Sequence, residues 1–380
     1  VAHRFVKDRW TGGGSVSDKV VFCTGAGGFI GRYILSHYLE TQDSDLYLLE
    51  YGQFRDRLEA FLDEHLRTSD QRARVHVVSG NIAEPGLGLA PAVAEELRAR
   101  VTHAIHLAAL YNLAAPRDIS VRINVDGTRH VLEFLRTARA FERLLYVSTV
   151  AVVGTHSGTF REGDLDVGQR FRNHYEETKF LAERVVREQA NAIPTVIVRP
   201  ATVVGHSRTG AIEKIDGPYY ALGMIARNMH RIVPDTGDAR FQFAPVDFIA
   251  DAAYHLFEDE ASVGKVFHLV DPEPLTYMEF IEMACRVMGR PKPLLALPAA
   301  LMRPMGRLPM FERVTGVPPE AFEQSFYSVD YDTTNATAAL TKHGVACPSV
   351  SSYIDVMVNY FVEHANDPQI RKGNWRQATT

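Results

Sequence analysis

This chain predicts an α/β fold, a doubly wound parallel sheet with helices on both faces and a smaller, interleaved C-terminal region that grips a substrate. Three observations carry that expectation. Short β-branched runs alternate with helical stretches from Lys19 to Gly205. A glycine-spaced string, "TGAGGFIG" (Thr24 to Gly31), stands between the first such run and the first helix. And 380 residues, 46% apolar and 10% aromatic, suffice to bury a full core as one large or two closely joined domains.

The elements follow in order. "KVVFCTG" from Lys19 is the first strand, and a helix runs from about Gly28 to Glu40. "DLYLLE" (Asp45 to Glu50) is the second strand, followed by a helix around "FRDRLEAFLDEHL". "ARVHVVSGN", "THAIHLAA" and "ERLLYVSTVAVVG" are strands three to five, with the helix "RINVDGTRHVLEFLRTA" between the last two. An amphipathic helix holds "NHYEETKFLAE" (Asn173 to Glu183), and "PTVIVRPATVVG" (Pro194 to Gly205) is strand six. Six strands in this rhythm make a Rossmann-type sheet over residues 19–205. After Gly205 the rhythm loosens. Residues 206–380 read as mainly a substrate-binding region interleaved with the sheet, and residues 1–18 as a mobile tail. A start at Val1 instead of methionine reads as a processed, tagged or excised piece of a longer chain.

Composition narrows the function. Lys and Arg number 41 against 46 Asp and Glu, a formal net charge of -5, and no long basic run stands out, which speaks against nucleic acid as a partner. Cys23, Cys285 and Cys347 lie far apart and form no metal-ligand spacing or disulfide framework, which fits a reducing cytoplasm and no metal site. The apolar run "PLLALPAALM" (Pro293 to Met302) is proline-broken and far short of the roughly 20 residues of a membrane span, so it reads as a wall or lid. The partner that remains is a small molecule. The oligomeric state is left open, a homodimer being one arrangement the sequence allows.

Gly25, Gly28 and Gly31 have G-x-x-G-x-x-G spacing between a strand and a helix, with Phe29 and Ile30 opening the helix. Glycines there permit a tight turn, close approach of a pyrophosphate to backbone N–H groups, and close helix-to-sheet packing. Glu50 ends strand two, where an acid bonds adenosine ribose hydroxyls and repels a 2′-phosphate, an argument for NAD(H). Arg32, Arg55 and Arg57 are near enough in sequence to neutralise a 2′-phosphate instead.

Strand five delivers Ser148 and Thr149 to the carboxyl edge of the sheet, ahead of Tyr175 and Lys179, which are one turn apart on one helical face. Tyr-x-x-x-Lys alone is a chance pattern. After a dinucleotide loop, and with a strand-end hydroxyl in order before it, it reads as catalytic. A hydride landing on a carbonyl carbon leaves an alkoxide that must be protonated, and a phenol does this poorly near pH 7 unless its anion is stabilised. Lys179 is expected to supply the positive charge that lowers the Tyr175 pKa, and Thr149 to hold the substrate oxygen. Ser148 reads as a structural neighbour.

On "TGAGGFIG", "HLAA" (His106 to Ala109), "NVDGT" (Asn124 to Thr128), "ST", "YEETK" and "RPATVVG", the chain resembles an extended short-chain dehydrogenase/reductase. Within that superfamily "HLAALYNL", "GHSRTGAIEKIDGPYY", "APVDFIADA" and "FHLVDPEP" resemble bacterial fatty acyl-CoA and fatty aldehyde reductases and thioester reductase domains. The resemblance implies reduction of a long-chain aldehyde or acyl thioester, carrier- or CoA-linked, by NADP(H). It further implies that Ala108 and Ala109 line the cofactor, that Asn81 with Ile82 meets the adenine, that Asn124 supports the active-site helix, and that Pro200, Thr202 and Val203 abut the nicotinamide. Two departures stand out: Asn81 follows Gly80 where such families have Gly-Asp, and Tyr51 follows Glu50 where the reductases carry a basic residue.

Other functions share this scaffold. A secondary-alcohol dehydrogenase or a sugar-nucleotide epimerase or dehydratase would use the same residues. The apolar, Met-rich stretch Leu294 to Phe311 favours a greasy substrate, and a nucleotide sugar would want more cations around its pyrophosphate. A non-catalytic dinucleotide sensor has no need of an intact Thr/Tyr/Lys set.

Overall fold

The computed structural model describes residues 19–41, 44–237, 239–367 and 370; the expected tail, residues 1–18, and the last ten residues of the chain lie outside them. Seven parallel strands build the central sheet: β1 (Val20–Thr24), β2 (Asp45–Glu50), β3 (Val75–Ser79), β4 (His103–His106), β5 (Arg143–Val147), β6 (Thr195–Pro200) and β7 (Val266–Leu269). Their spatial order is β7-β6-β5-β4-β1-β2-β3, so the winding reverses between β1 and β4 and opens a crevice at the carboxyl ends of those two strands.

Alternation along the strands sends side chains into two cores. Val21, Cys23, Leu48 and Val198 pack under the helices Phe29–Thr41 and Val246–Glu258. Val20, Phe22, Leu144 and Ile197 face Leu97, Val131, Leu135 and Ala182 on the other side. Both faces are covered, which is why these strands read as nearly continuous apolar runs.

Two predicted boundaries shift, each for a local reason. The fifth strand stops at Val147, because the Thr149 side chain accepts a hydrogen bond from Ala151 N (3.2 Å) and turns Val150–Val153 into a 3₁₀ helix. The sixth run splits at Ala201: Thr195–Pro200 stays in the sheet, while Thr202–Val204 leaves it to pair with Phe243–Pro245. The sheet then gains a seventh strand from "KVFHLV", far along the chain, laid against β6.

Beyond Gly205, a separate cluster of Tyr219, Leu222, Ile225, Phe280, Ile354 and Phe361 forms a third core. The two parts are stitched together by short parallel pairs, Gly158–Phe160 with Val329–Tyr331 among them. Among the described residues no helix is long and apolar enough to cross a membrane.

Candidate active site

The glycine loop follows β1 directly, and its geometry requires glycine at two positions. Gly25 adopts φ +80°, and a Cβ there would stand 2.7 Å from Ala108 N. A Cβ on Gly31 would stand 2.3 Å from Gly25 O, so the first turn of the helix could not close onto the loop. At Gly28, by contrast, a Cβ would approach only Gly25 O, at 3.3 Å. Phe29 and Ile30 follow in the first helical turn, where the leading N–H groups of a helix have no partner within it.

Glu50 lies beneath the loop. It is 5% exposed, and its Oε1 accepts from Gly27 N at 2.6 Å. Burial raises its pKa, against the opposing hydrogen bonds from Gly27 and Tyr51. Arg32 meets the same glycine from the other side, donating to Gly27 O at 3.3 Å while ion-pairing with Glu213. Arg57 stands 3.7 Å from the other oxygen of Glu213, whereas Arg55 is held by Glu59 and Ser79, both at 2.7 Å. Of the three arginines read from sequence, two therefore gather at the loop.

Several further residues are structurally anchored. Asn81 uses its side-chain oxygen on Ala83 N (2.9 Å), and Ile82 is buried against Gly127. Ala108, half-buried, donates to Thr24 O at 3.2 Å, with Ala109 exposed beside it. Asn124, 2% exposed, accepts from Leu110 N (2.7 Å) and donates to Thr178 Oγ1 (3.0 Å), tying the loop after β4 to the tyrosine helix. Pro200 ends β6, and Thr202 and Val203 are half-buried just past it.

The helix His174–Glu188 begins where Asn173 caps it, accepting from Glu176 N at 3.0 Å. That start places Tyr175 in the first turn, near enough to Thr149 for its hydroxyl to favour the ionised phenol. One turn on, the Lys179 ammonium is buried and donates to Val147 O (2.9 Å) and to Tyr146 Oη (3.3 Å). Thr149, Tyr175 and Lys179 thus converge at the end of β5. The expected lowering of the tyrosine pKa does not occur in this geometry. Burial pushes Tyr175 up to about 12, against the influence of Thr149, while the Lys179 ammonium is turned toward the strand. Burial also pulls Lys179 down to about 8, with Glu183 opposing. Ser148 points away from the crevice, donating to Glu183 Oε2 at 2.6 Å.

Sequence reasoning missed three neighbours. Tyr111 packs edge-to-face on Tyr175 with centroids 4.9 Å apart, and burial, with the charge of Asp216 nearby, raises the pKa of its hydroxyl. Asp216 is in turn 3.1 Å from Lys214 Nζ. Glu176, fully buried beside Tyr175, is held by Arg172 at 2.9 Å. Tyr111 and Asp216 lie in "HLAALYNL" and "KIDGPYY", so the signal was their place in those motifs, not any spacing to Tyr175.

Past Thr149 a cavity runs under the second region, lined by Val150, Ala151, Gly217, Tyr220, Met302 and Phe311 among others. The "PLLALPAALM" stretch contributes only Met302; Leu294, Leu295 and Leu301 face solvent. That part of the expected wall is corrected: the strand Leu295–Pro298 pairs along Ile232–Asp235 and leaves Leu295 turned outward.

The family profile described as male sterility protein matches residues 23–253, from within β1 to the helix after the Phe243–Pro245 strand. The chain belongs to the male sterility protein family. This is an NAD(P)-binding oxidoreductase family of the extended short-chain dehydrogenase/reductase type, and the matched span holds the glycine loop and all three converging residues. A linear gramicidin synthase component of Brevibacillus parabrevis is 32% identical over 276 residues, 69% of this chain and 5% of that protein. Fatty acyl-CoA reductase wat of Drosophila melanogaster is 27% identical over 274 residues, 62% of this chain and 53% of that protein. The chain thus spans less than two thirds of either relative. The crystal structure of the terminal R domain from the myxalamid PKS-NRPS biosynthetic pathway superposes with a TM-score of 0.76 at 26% identity, covering 91% of each chain.

Proposed function

We propose that this family member is a nicotinamide-dependent reductase of an acyl thioester or long-chain aldehyde, with Tyr175 as the proton donor. The observation that carries the proposal is the place of Thr149 and Tyr175, each next in the chain to a residue, Val150 and Glu176, that lines one and the same cavity. A carbonyl oxygen held between those two hydroxyls leaves the acyl chain to follow the cavity past Tyr220 toward Met302 and Phe311. As negative charge develops on that oxygen, Tyr175 gives up its proton and Thr149 stabilises what remains. Lys179, fixed by Val147 O, holds a positive charge beneath the tyrosine helix. A bound nicotinamide would supply the hydride. The relatives' names, a fatty acyl-CoA reductase and the terminal R domain of a PKS-NRPS pathway, support the same substrate class.

In this reading Gly25, Gly28 and Gly31 cradle the pyrophosphate, Ala108, Ala109, Pro200, Thr202 and Val203 line the nicotinamide side, and Asn81 and Ile82 face the adenine. Residues after Gly205 supply most of the substrate wall. Glu50 under the loop favours NADH; Arg32 and Arg57, gathered on Glu213, are where a 2′-phosphate would bind if NADPH is the partner.

The test is oxidation of NADH and NADPH against aldehydes, acyl-CoAs and ketones, each as a chain-length series. Each buried methylene contributes about 0.8 kcal/mol, about fourfold in kcat/KM per carbon until the cavity is full. A flat response to chain length, with turnover of ketones alone, would favour the secondary-alcohol alternative.

A further inference from the structure

We propose that Lys214 is a catalytic acid for thioesters, delivering the proton that the departing sulfur needs; this rests on the thioester reading above. Reduction of a thioester asks for more than reduction of an aldehyde. Hydride addition, with the Tyr175 proton on oxygen, leaves a hemithioacetal. To release the aldehyde, the hydroxyl proton returns to Tyr175, the C=O bond re-forms, the C–S bond breaks, and its electron pair leaves with sulfur. A proton must then reach that sulfur, or an alkyl thiolate departs unaided. Tyr175 is engaged at the oxygen and cannot serve both atoms.

The cations around Tyr175 differ in where they face. Lys179 is buried and bonded to Val147 O, and Arg172 is bound to the buried Glu176. Lys214 is on the solvent side, its side chain 36% exposed. Its Nζ lies 4.1 Å from the Tyr111 ring centroid, and that ring in turn rests on Tyr175. Asp216, 3.1 Å from the ammonium, fixes it and acts as a positioning residue.

The direction of the substrate follows from the cavity. The acyl chain enters the apolar side, under Tyr220 and Phe311. A large polar thiol such as CoA or a carrier arm has to leave toward solvent, the side on which Lys214 stands. Transfer of an Nζ proton to sulfur gives the free thiol and a neutral amine, which recovers its proton from water at this exposed position. Net, one hydride and one proton convert the thioester to aldehyde plus thiol.

The experiment compares Lys214→Met and Lys214→Arg with wild type on one acyl group presented three ways: as the aldehyde, as its N-acetylcysteamine thioester, and as its thiophenyl thioester, whose more acidic thiol leaves without help. For Lys214→Met the expected result is an alkyl-thioester kcat lower by about a hundredfold, the usual effect of a lost general acid. Aldehyde turnover should stay within about twofold of wild type, and the thiophenyl ester should recover most of the loss. Lys214→Arg tests whether a transferable proton, and not charge alone, is required: an arginine yields no proton, so it should also be slow on the alkyl ester. Equal losses on aldehyde and thioester, or no loss on the alkyl ester, would overturn the proposal in favour of a purely structural Lys214–Asp216 pair. A wild-type enzyme that reduces aldehydes but no thioester also overturns it while leaving aldehyde reduction standing; one that reduces neither overturns the functional reading itself.

Discussion

Glu183 offers the sharpest test of how the site is held. Its carboxylate is fully buried on the tyrosine helix and meets the equally buried Arg199 through Nε (3.0 Å) and Nη2 (2.7 Å). Arg187 adds a contact at 2.9 Å, and Ser148, the residue before Thr149, donates at 2.6 Å. Replacing Glu183 with Gln keeps the shape and removes the charge, leaving the Arg199 guanidinium uncompensated. Breaking a buried pair in this way costs about 3–5 kcal/mol. At ~2.1 cal/mol/K per residue, unfolding 380 residues carries an entropy of about 0.8 kcal/mol/K, so the melting temperature should fall by about 4–6 °C. The double variant Glu183→Met with Arg199→Met removes both charges and should lose much less than the sum of the two single changes. The pH dependence has a definite sign. Burial alone would raise the Glu183 pKa, but Arg199, Arg187 and Ser148 together hold it below the ordinary value. A depressed carboxylate contributes its stability above the unfolded pKa and loses it as pH falls through the folded one, so the gap between wild type and Glu183→Gln should close in acid. Calorimetry across pH reads all of this. A Glu183→Gln protein melting within about 1 °C of wild type at neutral pH, or additive single and double variants, would refute the reasoning.

Three other outcomes are expected. Tyr175→Phe should lower turnover at least about a hundredfold while leaving dinucleotide affinity little changed, measured by steady-state kinetics beside cofactor titration. Lys179, pulled down to about 8 by burial, should lose its charge as pH rises past that value, so kcat/KM for reduction should decline there. Folding has the opposite sense: burying the charged lysine costs stability below its folded pKa, and that cost fades as pH rises, so Lys179→Met should gain on wild type at neutral pH and lose that advantage in base. For the cofactor, Glu50→Gln preserves an acceptor for Gly27 N and removes the charge, so NADPH should bind more tightly relative to NADH; Arg32→Ala should move the ratio the other way. Fluorescence titration with both dinucleotides checks this, and an unchanged ratio in Glu50→Gln would exclude the ribose-acid role.

Much of this protein is written in local pattern. Alternating β-branched runs and helical stretches are enough for a parallel sheet, because strands covered on both faces must be apolar throughout and crossovers must be long enough for a helix. The strand–"TGAGGFIG"–helix junction is local too, since Gly25 and Gly31 are needed by atoms only a few residues away or on the neighbouring strand. The order Thr149, Tyr175, Lys179 is legible because strand ends and helix faces are set by short-range geometry.

What lies across the chain was decided only by folding. Val266–Leu269 joins the main sheet although nothing in its short apolar run distinguishes it from the strands of the second region; only the free edge of β6 does. Glu50 reads as a strand-end acid, yet the return of the glycine loop over it puts its carboxylate on Gly27 N. Lys179 reads as a charge for Tyr175, yet burial and the nearby carbonyl of Val147 turn its ammonium to the strand and leave the phenol's own burial to dominate. Tyr111 meets Tyr175 from 64 positions away, and Lys214 reaches Tyr111 from 103 positions away. Periodicity carries which face a residue occupies. It carries nothing about which distant side chain will share that face, because contact and desolvation depend on the three-dimensional neighbours that only the closed fold brings together.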